Sequence, residues 1–241
     1  YPNRYYVGMS SLGFQAVYRL LNSYQDVVCE RTFVEVGQVE ILSVESQRPL
    51  DDFAVIAFSV SFEPDYFNIV AALESAGVPT LAAHRDSKQP LVIAGGPCVT
   101  ANPEPLASIC DALVIGEAEA IVPALVETLR DGVGGERDDL LAALARIPGV
   151  YVPKFYDVEY AGDGTVARIE SRAQLPVVRQ WTPDLDRFPT SSVVLTEDTE
   201  FNDAYLIEAA RGCGRGCRFC LAGFCFLPKR ERSLGVLLEE A

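Results

Sequence analysis

The run RGCGRGCRFC places three thiols at Cys213, Cys217 and Cys220, a C-x3-C-x2-C spacing. Thiolates are soft ligands for iron–sulfur and zinc centres. Glycines at 212, 214 and 216 leave the backbone free to curl three sulfurs round one point, and let amide N–H groups point at anionic sulfur. Three thiolates suit a cubane iron–sulfur cluster with one iron left open to the N and O atoms of another molecule. A structural zinc completed by Cys225 is allowed by the same spacing, although zinc sites usually come as paired CxxC knuckles and no second pair exists here. A redox disulfide has less support, because no CxxC opens a helix in a thioredoxin-like pattern. Cys225, between Phe224 and Phe226, reads as a packed thiol.

The thiols stand in a basic island. Arg211, Arg215, Arg218, Lys229, Arg230 and Arg232 face Glu231 alone, whereas the whole chain of 241 residues has a formal net charge of −14. These cations read either as charge balance around an anionic cluster or as recognition of an acidic or phosphorylated substrate. The acidic remainder argues against a general polyanion-binding surface. Apolar residues make up 49% of the chain, which excludes wholesale disorder, yet no run approaches the roughly 20 apolar residues of a membrane span. No membrane partner is therefore expected. Seven cysteines, an odd number unevenly spaced, fit a metal in a reducing cytoplasm better than a disulfide framework. The opening YPNRYYVGMS has no basic n-region and no apolar h-region, so the chain reads as trimmed, non-secreted and cytoplasmic.

What must position the thiols is read from periodicity. From Arg4 to about Arg130, short apolar runs alternate with helical stretches. YYVGM reads as a first strand, followed by a helix through Val17, Leu20, Leu21 and Tyr24. FAVIAFSV, PLVIAGGP and DALVIGEAE each read as a buried parallel strand followed by a turn and a helix, the first of these helices opened by Pro64 and left at Gly77. Strand, turn and helix four times over predict a doubly wound, Rossmann-like α/β domain over residues 1–149. Its margin falls after DGVGGERDD and the short helix LLAALARI, which stops at Pro148-Gly149. Residues 150–200 read as a β-hairpin turning at Gly162-Asp163-Gly164, then a linker containing Pro176, Pro183 and Pro189. Residues 201–241 read as the strand AYLIEAAR, the cysteine loop, and a helix capped by Ser233. These last elements amount to one β/α unit, too little to bury both faces of a strand.

C-x3-C-x-aromatic-C at the carboxyl end of a predicted strand, with Phe219 before the last cysteine, resembles the signature of the radical S-adenosylmethionine (radical SAM) superfamily. The wider run EAARGCGRGCRFCLAGFCFLPKRERS resembles a subgroup whose radical domain, a partial TIM-type barrel, follows a cobalamin-binding-like domain. The resemblance implies a 4Fe-4S cluster on Cys213, Cys217 and Cys220, with the amino and carboxylate groups of S-adenosylmethionine on the open iron. It also implies a reducing electron donor, cleavage to a 5′-deoxyadenosyl radical, and Phe219 beside the adenine. Methyl or methylthio transfer to RNA or protein is the reaction class it suggests. The glycine-rich segment that holds the amino group in such proteins belongs to a later strand, so the chain by itself is expected to be inactive. The competing class is a binding module in which zinc organises the loop and the acidic domain docks a partner protein.

For the upstream domain the resemblance implies a cofactor cradle. Ser59 and Ser61 end one predicted strand, Gly95 and Gly96 the next, and Gly116 and Glu117 follow the third, all at carboxyl ends where parallel sheets form their ligand crevice. The single histidine, His84 in AAHRDS, lies outside any Asp-x-His-x-x-Gly loop, so cobalamin could be held only without histidine ligation. An empty fold with glycines serving tight turns is the other reading, and both stay open. Cys98, beside this crevice, reads as a small buried side chain, and His84 as an exposed loop residue.

Overall fold

A computed structural model of the chain describes residues 1–35 and 40–241. They form two compact units: Pro49–Gln180, and Tyr1–Arg48 together with Trp181–Ala241. These divisions differ from the boundaries expected after residues 149 and 200, because residues 150 and 151 complete the sheet of the first unit and the hairpin stays with it.

The chain opens with helix α1 (Tyr5–Met9), where the apolar pattern suggests a strand, and α2 (Leu12–Asn22). A five-residue apolar run is ambiguous by periodicity, and tertiary context decides it. Here Tyr1, Met9 and Phe33 form a buried cluster and a Cβ on Gly8 would stand 2.8 Å from Phe33 Cδ1, so the aromatic ring packs directly on the helix backbone. Ser11 caps α2 by accepting from Phe14 N at 3.3 Å.

The unit Pro49–Gln180 is a Rossmann-like α/β fold. Its sheet has the order β1 (Val55–Ser59), β2 (Leu91–Gly95), β3 (Ala112–Val114), β4 (Val150–Tyr151), with the first three strands parallel and β4 antiparallel to β3. The helices between them are α3 (Asp65–Ser75), α4 (Pro97–Ala101), α5 (Ala118–Gly132) and α6 (Arg137–Leu144). Three strand-helix units therefore stand where four were expected, since the first predicted strand is α1. Register runs from Val55 opposite Leu91 to Ser59 opposite Gly95, and Ala94 lies opposite Leu113. Leu91 and Ile93 join Ile121, Leu125, Leu140, Leu141 and Leu144 in one buried cluster. Val92 and Ala94, pointing the other way, are equally buried, as are Ile69 and Leu73 of α3 and Val99 of α4. Both faces of β2 are covered, which is why its sequence is a continuous apolar run.

The expected hairpin is present as β5 (Tyr156–Tyr160) and β6 (Val166–Ser171), with Val158 opposite Ile169 and Gly164 at φ +83 in the turn. Beyond it, Gln180 forms a parallel bridge with Gly116.

In the other unit, β7 (Ala210–Arg211) and β8 (Arg230–Glu231) are an antiparallel pair of two-residue strands enclosing α7 (Ala222–Cys225), and α8 (Leu234–Glu240) follows, capped by Ser233 as expected. Of the predicted buried strand AYLIEAAR, only Ala210–Arg211 is strand, as β7; the residues before them are a partly exposed, extended segment. Leu206 O accepts from Ser192 N at 2.9 Å, Glu208 N donates to Thr190 O at 2.9 Å, and Ala209 O accepts from Arg232 N at 3.0 Å. These backbone bonds are scattered along the segment and do not form a continuous ladder. Among the described residues no helix is long and apolar enough to cross a membrane.

Candidate functional site

The cysteine loop is closed at its foot. Arg211 precedes it and Arg230 follows it, opposite one another across β7 and β8. Gly212 takes φ +88, and a Cβ there would run into Phe226 O and lie 2.8 Å from Pro228 O, so only glycine lets the two ends of the loop meet. Beneath this junction Glu208 accepts from Arg211 Nε at 2.7 Å and from Arg211 Nη2 at 2.9 Å, a two-point fork. The same carboxylate accepts from Arg232 Nη2, and Arg232 also donates to Leu185 O and, at 2.9 Å, to Thr190 Oγ1. Burial raises the Glu208 carboxyl, but the hydrogen bonds and charges of Arg211 and Arg232 outweigh it and hold it below the usual carboxylate range.

Within the loop, Cys213 and Cys220 are half-buried and Cys217 is exposed. Cys220 N donates to Cys217 O at 3.1 Å, which makes the last two cysteines the ends of one turn. Cys225 ends α7 and is half-buried. All four thiols are free. Among the described residues, no three His, Cys, Asp or Glu side chains are gathered closely enough to hold a metal, so the loop carries the ligand spacing without a preformed ligand cage. Phe219 is 92% exposed, and Leu221, Phe224 and Leu227 are exposed with it. Arg215 and Arg218 are exposed on the loop, whereas Arg211 and Arg232 are engaged by Glu208. Spacing alone groups these arginines together and leaves Glu208 unnoticed. The only trace of Glu208 in the sequence is a carboxylate three residues before Arg211, and nothing in the spacing points to Arg232.

The carboxyl edge of the Rossmann-like sheet also departs from expectation. Ser59 and Gly95 end β1 and β2 and are half-buried, and Ser61 lies just beyond. Gly96, at φ +109, faces Val60, whose O and N would stand 2.6 Å and 2.9 Å from a Cβ. Cys98, buried as expected, donates from its N to Val60 O at 3.3 Å. Gly116 N donates to Thr100 Oγ1 at 3.2 Å, and Gln180 lies along the other edge of the same segment, with Gln180 N donating to Ile115 O and Glu117 N to Gln180 O, both at 3.0 Å. Glu117 is buried and pairs with Arg179 at 3.7 Å. The turns at these strand ends are thus engaged by other parts of the chain: Gly96 by Val60, and Gly116 by Thr100 and Gln180. His84 is exposed, as expected. At the opposite edge a cavity of about 170 Å³ is lined by Gly134, Gly135, Lys88 and Arg137, but the Arg137 guanidinium is spent on carbonyls, donating to Asp86 O at 2.7 Å and to Pro90 O at 3.2 Å.

Residues 13–153 match the family described as radical SAM proteins, N-terminal. The chain belongs to this family of radical SAM proteins. It is 24% identical over 238 residues to the uncharacterized protein MJ0966 of Methanocaldococcus jannaschii, an alignment that covers 99% of the chain and 43% of that protein. The chain thus spans less than half the length of the curated relative it matches. No solved structure matches it.

The family match ends at residue 153, ahead of the cysteine loop of this radical SAM protein, so the loop's own donor chemistry decides what it can hold. Desolvation pushes the thiols of Cys29 and Cys98 up to about 11 and that of Cys110 up to about 12. Those three stay protonated at neutral pH and make poor ligands. The loop offers a different set: soft sulfur donors in a short segment, none locked in a disulfide, beside the exposed cations Arg215 and Arg218. This set fits an iron–sulfur cluster.

Proposed function

We propose that Cys213, Cys217 and Cys220 of this radical SAM protein ligate a 4Fe-4S cluster, and that the longer protein to which the chain corresponds uses it to cleave S-adenosylmethionine. The observation that carries the reading is the C-x3-C-x2-C trio, free of disulfides, on a loop tied at its foot in a member of the radical SAM family. When bound, such a cluster passes one electron from an external reductant to the sulfonium, giving methionine and a 5′-deoxyadenosyl radical.

The chain's own residues have separate tasks. Cys213, Cys217 and Cys220 would hold the cluster through their sulfurs, and the cofactor would complete its coordination through its amino and carboxylate groups. Phe219, already turned out to solvent, offers its ring and backbone to the adenine. Arg215 and Arg218 offset the negative charge of the ligated cluster. Cys225 is not among the ligands.

Anaerobic reconstitution of the full chain with iron and sulfide tests the reading. Iron and labile sulfide in equal amounts are expected in wild type and in Cys225→Ala, and little of either in Cys213→Ala, Cys217→Ala or Cys220→Ala. Stoichiometric zinc without sulfide, lost when Cys225 is replaced, would establish the zinc-organised binding module instead.

A further inference from the structure

We propose that Glu208 is a positioning residue for the cysteine loop, acting through Arg211 and Arg232 to hold the two ends of Gly212–Lys229 together; this rests on the cluster reading above. The loop has little of its own to fix it. Of the residues it encloses only Gly223 is buried, while Phe219, Leu221, Phe224 and Leu227 face solvent. Its ladder, β7 against β8, is two residues long on each side, and short isolated two-stranded ladders are marginal in water. The forked hydrogen bonds at the foot are charge-assisted and shielded from water. Arg232 is buried, with its side chain 1% exposed and its Nε without a hydrogen-bond partner, so the Glu208 carboxylate is the counter-charge that lets a guanidinium sit there. Arg211 adjoins Gly212 at the entry of the loop, and Arg232 comes directly after β8 at its exit, so one carboxylate ties the two ends to each other.

The test compares wild type, Glu208→Gln and Glu208→Asp in the full chain. In metal-free protein, tryptic cleavage after the exposed Arg215 and Arg218 is expected to rise several-fold in Glu208→Gln and to return toward wild type in Glu208→Asp, with far-UV circular dichroism unchanged. After reconstitution, Glu208→Gln is expected to lose iron to a chelator several-fold faster and to broaden the electron paramagnetic resonance signal of the reduced cluster, and Glu208→Asp to restore both. Should Glu208→Gln not fold, Arg211→Gln, which keeps the Glu208–Arg232 pair, is expected to give a smaller increase in cleavage. Wild-type cleavage and iron retention in the folded variant overturn the proposal. Zinc in place of iron in every protein overturns the cluster reading alone, and the metal-free cleavage rates then decide the role of Glu208.

Discussion

The backbone of Gln180 occupies the space that a side chain on Gly116 would need. At φ +128, a Cβ on Gly116 would collide with Gln180 O and lie 2.7 Å from Gln180 N. Gly116→Ala is therefore expected to destabilise the protein by about 1–3 kcal/mol through the clash alone, with the cost of positive φ added. Gly164→Ala is the comparison, because its φ of +83 carries the conformational cost but nothing lies within 4 Å of its Cβ. Denaturant melts of the two variants should separate. Equal losses would mean that the contact with Gln180 contributes nothing.

The same contact bears on cobalamin. Val60 against Gly96, Thr100 on Gly116 N and Gln180 along Gly116 engage the turns where a cofactor tail would have to lie. Titration with hydroxocobalamin is expected to leave its absorption bands unchanged. A saturable spectral shift would show that the edge opens.

Thiol chemistry should divide the cysteines in two. Alkylation near neutral pH is expected to reach Cys217 first, then Cys213, Cys220 and Cys225, while Cys98 and Cys110, buried and with pKa values of about 11 and about 12, react only on unfolding. Peptide mapping over time checks the order, and early labelling of Cys110 would contradict it.

Arg85 and Asp111 form a buried ion pair at 3.1 Å, and Asp111 Oδ2 also accepts from Val92 N at 2.7 Å, fixing the start of β3 beside β2. Asp111→Ala would leave the guanidinium buried without its counter-charge, at an expected loss of about 3–5 kcal/mol. Asp138→Ala, which breaks the exposed pair with Lys154, is expected to cost about 0–1 kcal/mol. Similar midpoints for the two variants would contradict this account.

Glu208 also gives a pH dependence. Its folded pKa is depressed, so its stabilising contribution is complete above the unfolded carboxylate value of about 4.3 and is lost as pH falls through the lower folded value. Wild type should lose stability more steeply with acid below about pH 4 than Glu208→Gln does. Parallel stability curves would show that the carboxylate is not favoured by its arginines.

Much of the sheet was legible because buried parallel strands leave continuous apolar runs: FAVIAFSV contains β1 and PLVIAGGP contains β2. The hairpin and the cap at Ser233 were legible because turn and cap chemistry is local. YYVGM and AYLIEAAR misled for one reason, that apolar runs of this length take their structure from whatever lies alongside. β4 escaped notice because two residues carry no period, and they are a strand only through β3. At the loop, the cysteine spacing was plain, but the Glu208 tie was not, since Arg232 reaches it across the whole loop. The occupied edge at Gly116 was equally hidden, because its occupant comes from residue 180.

β4 runs against the direction of its neighbours, is two residues long and is buried. So brief a border gives an incoming chain almost no row of amides to grip. An incoming strand would find there neither the length nor the shared direction that a lasting ladder requires.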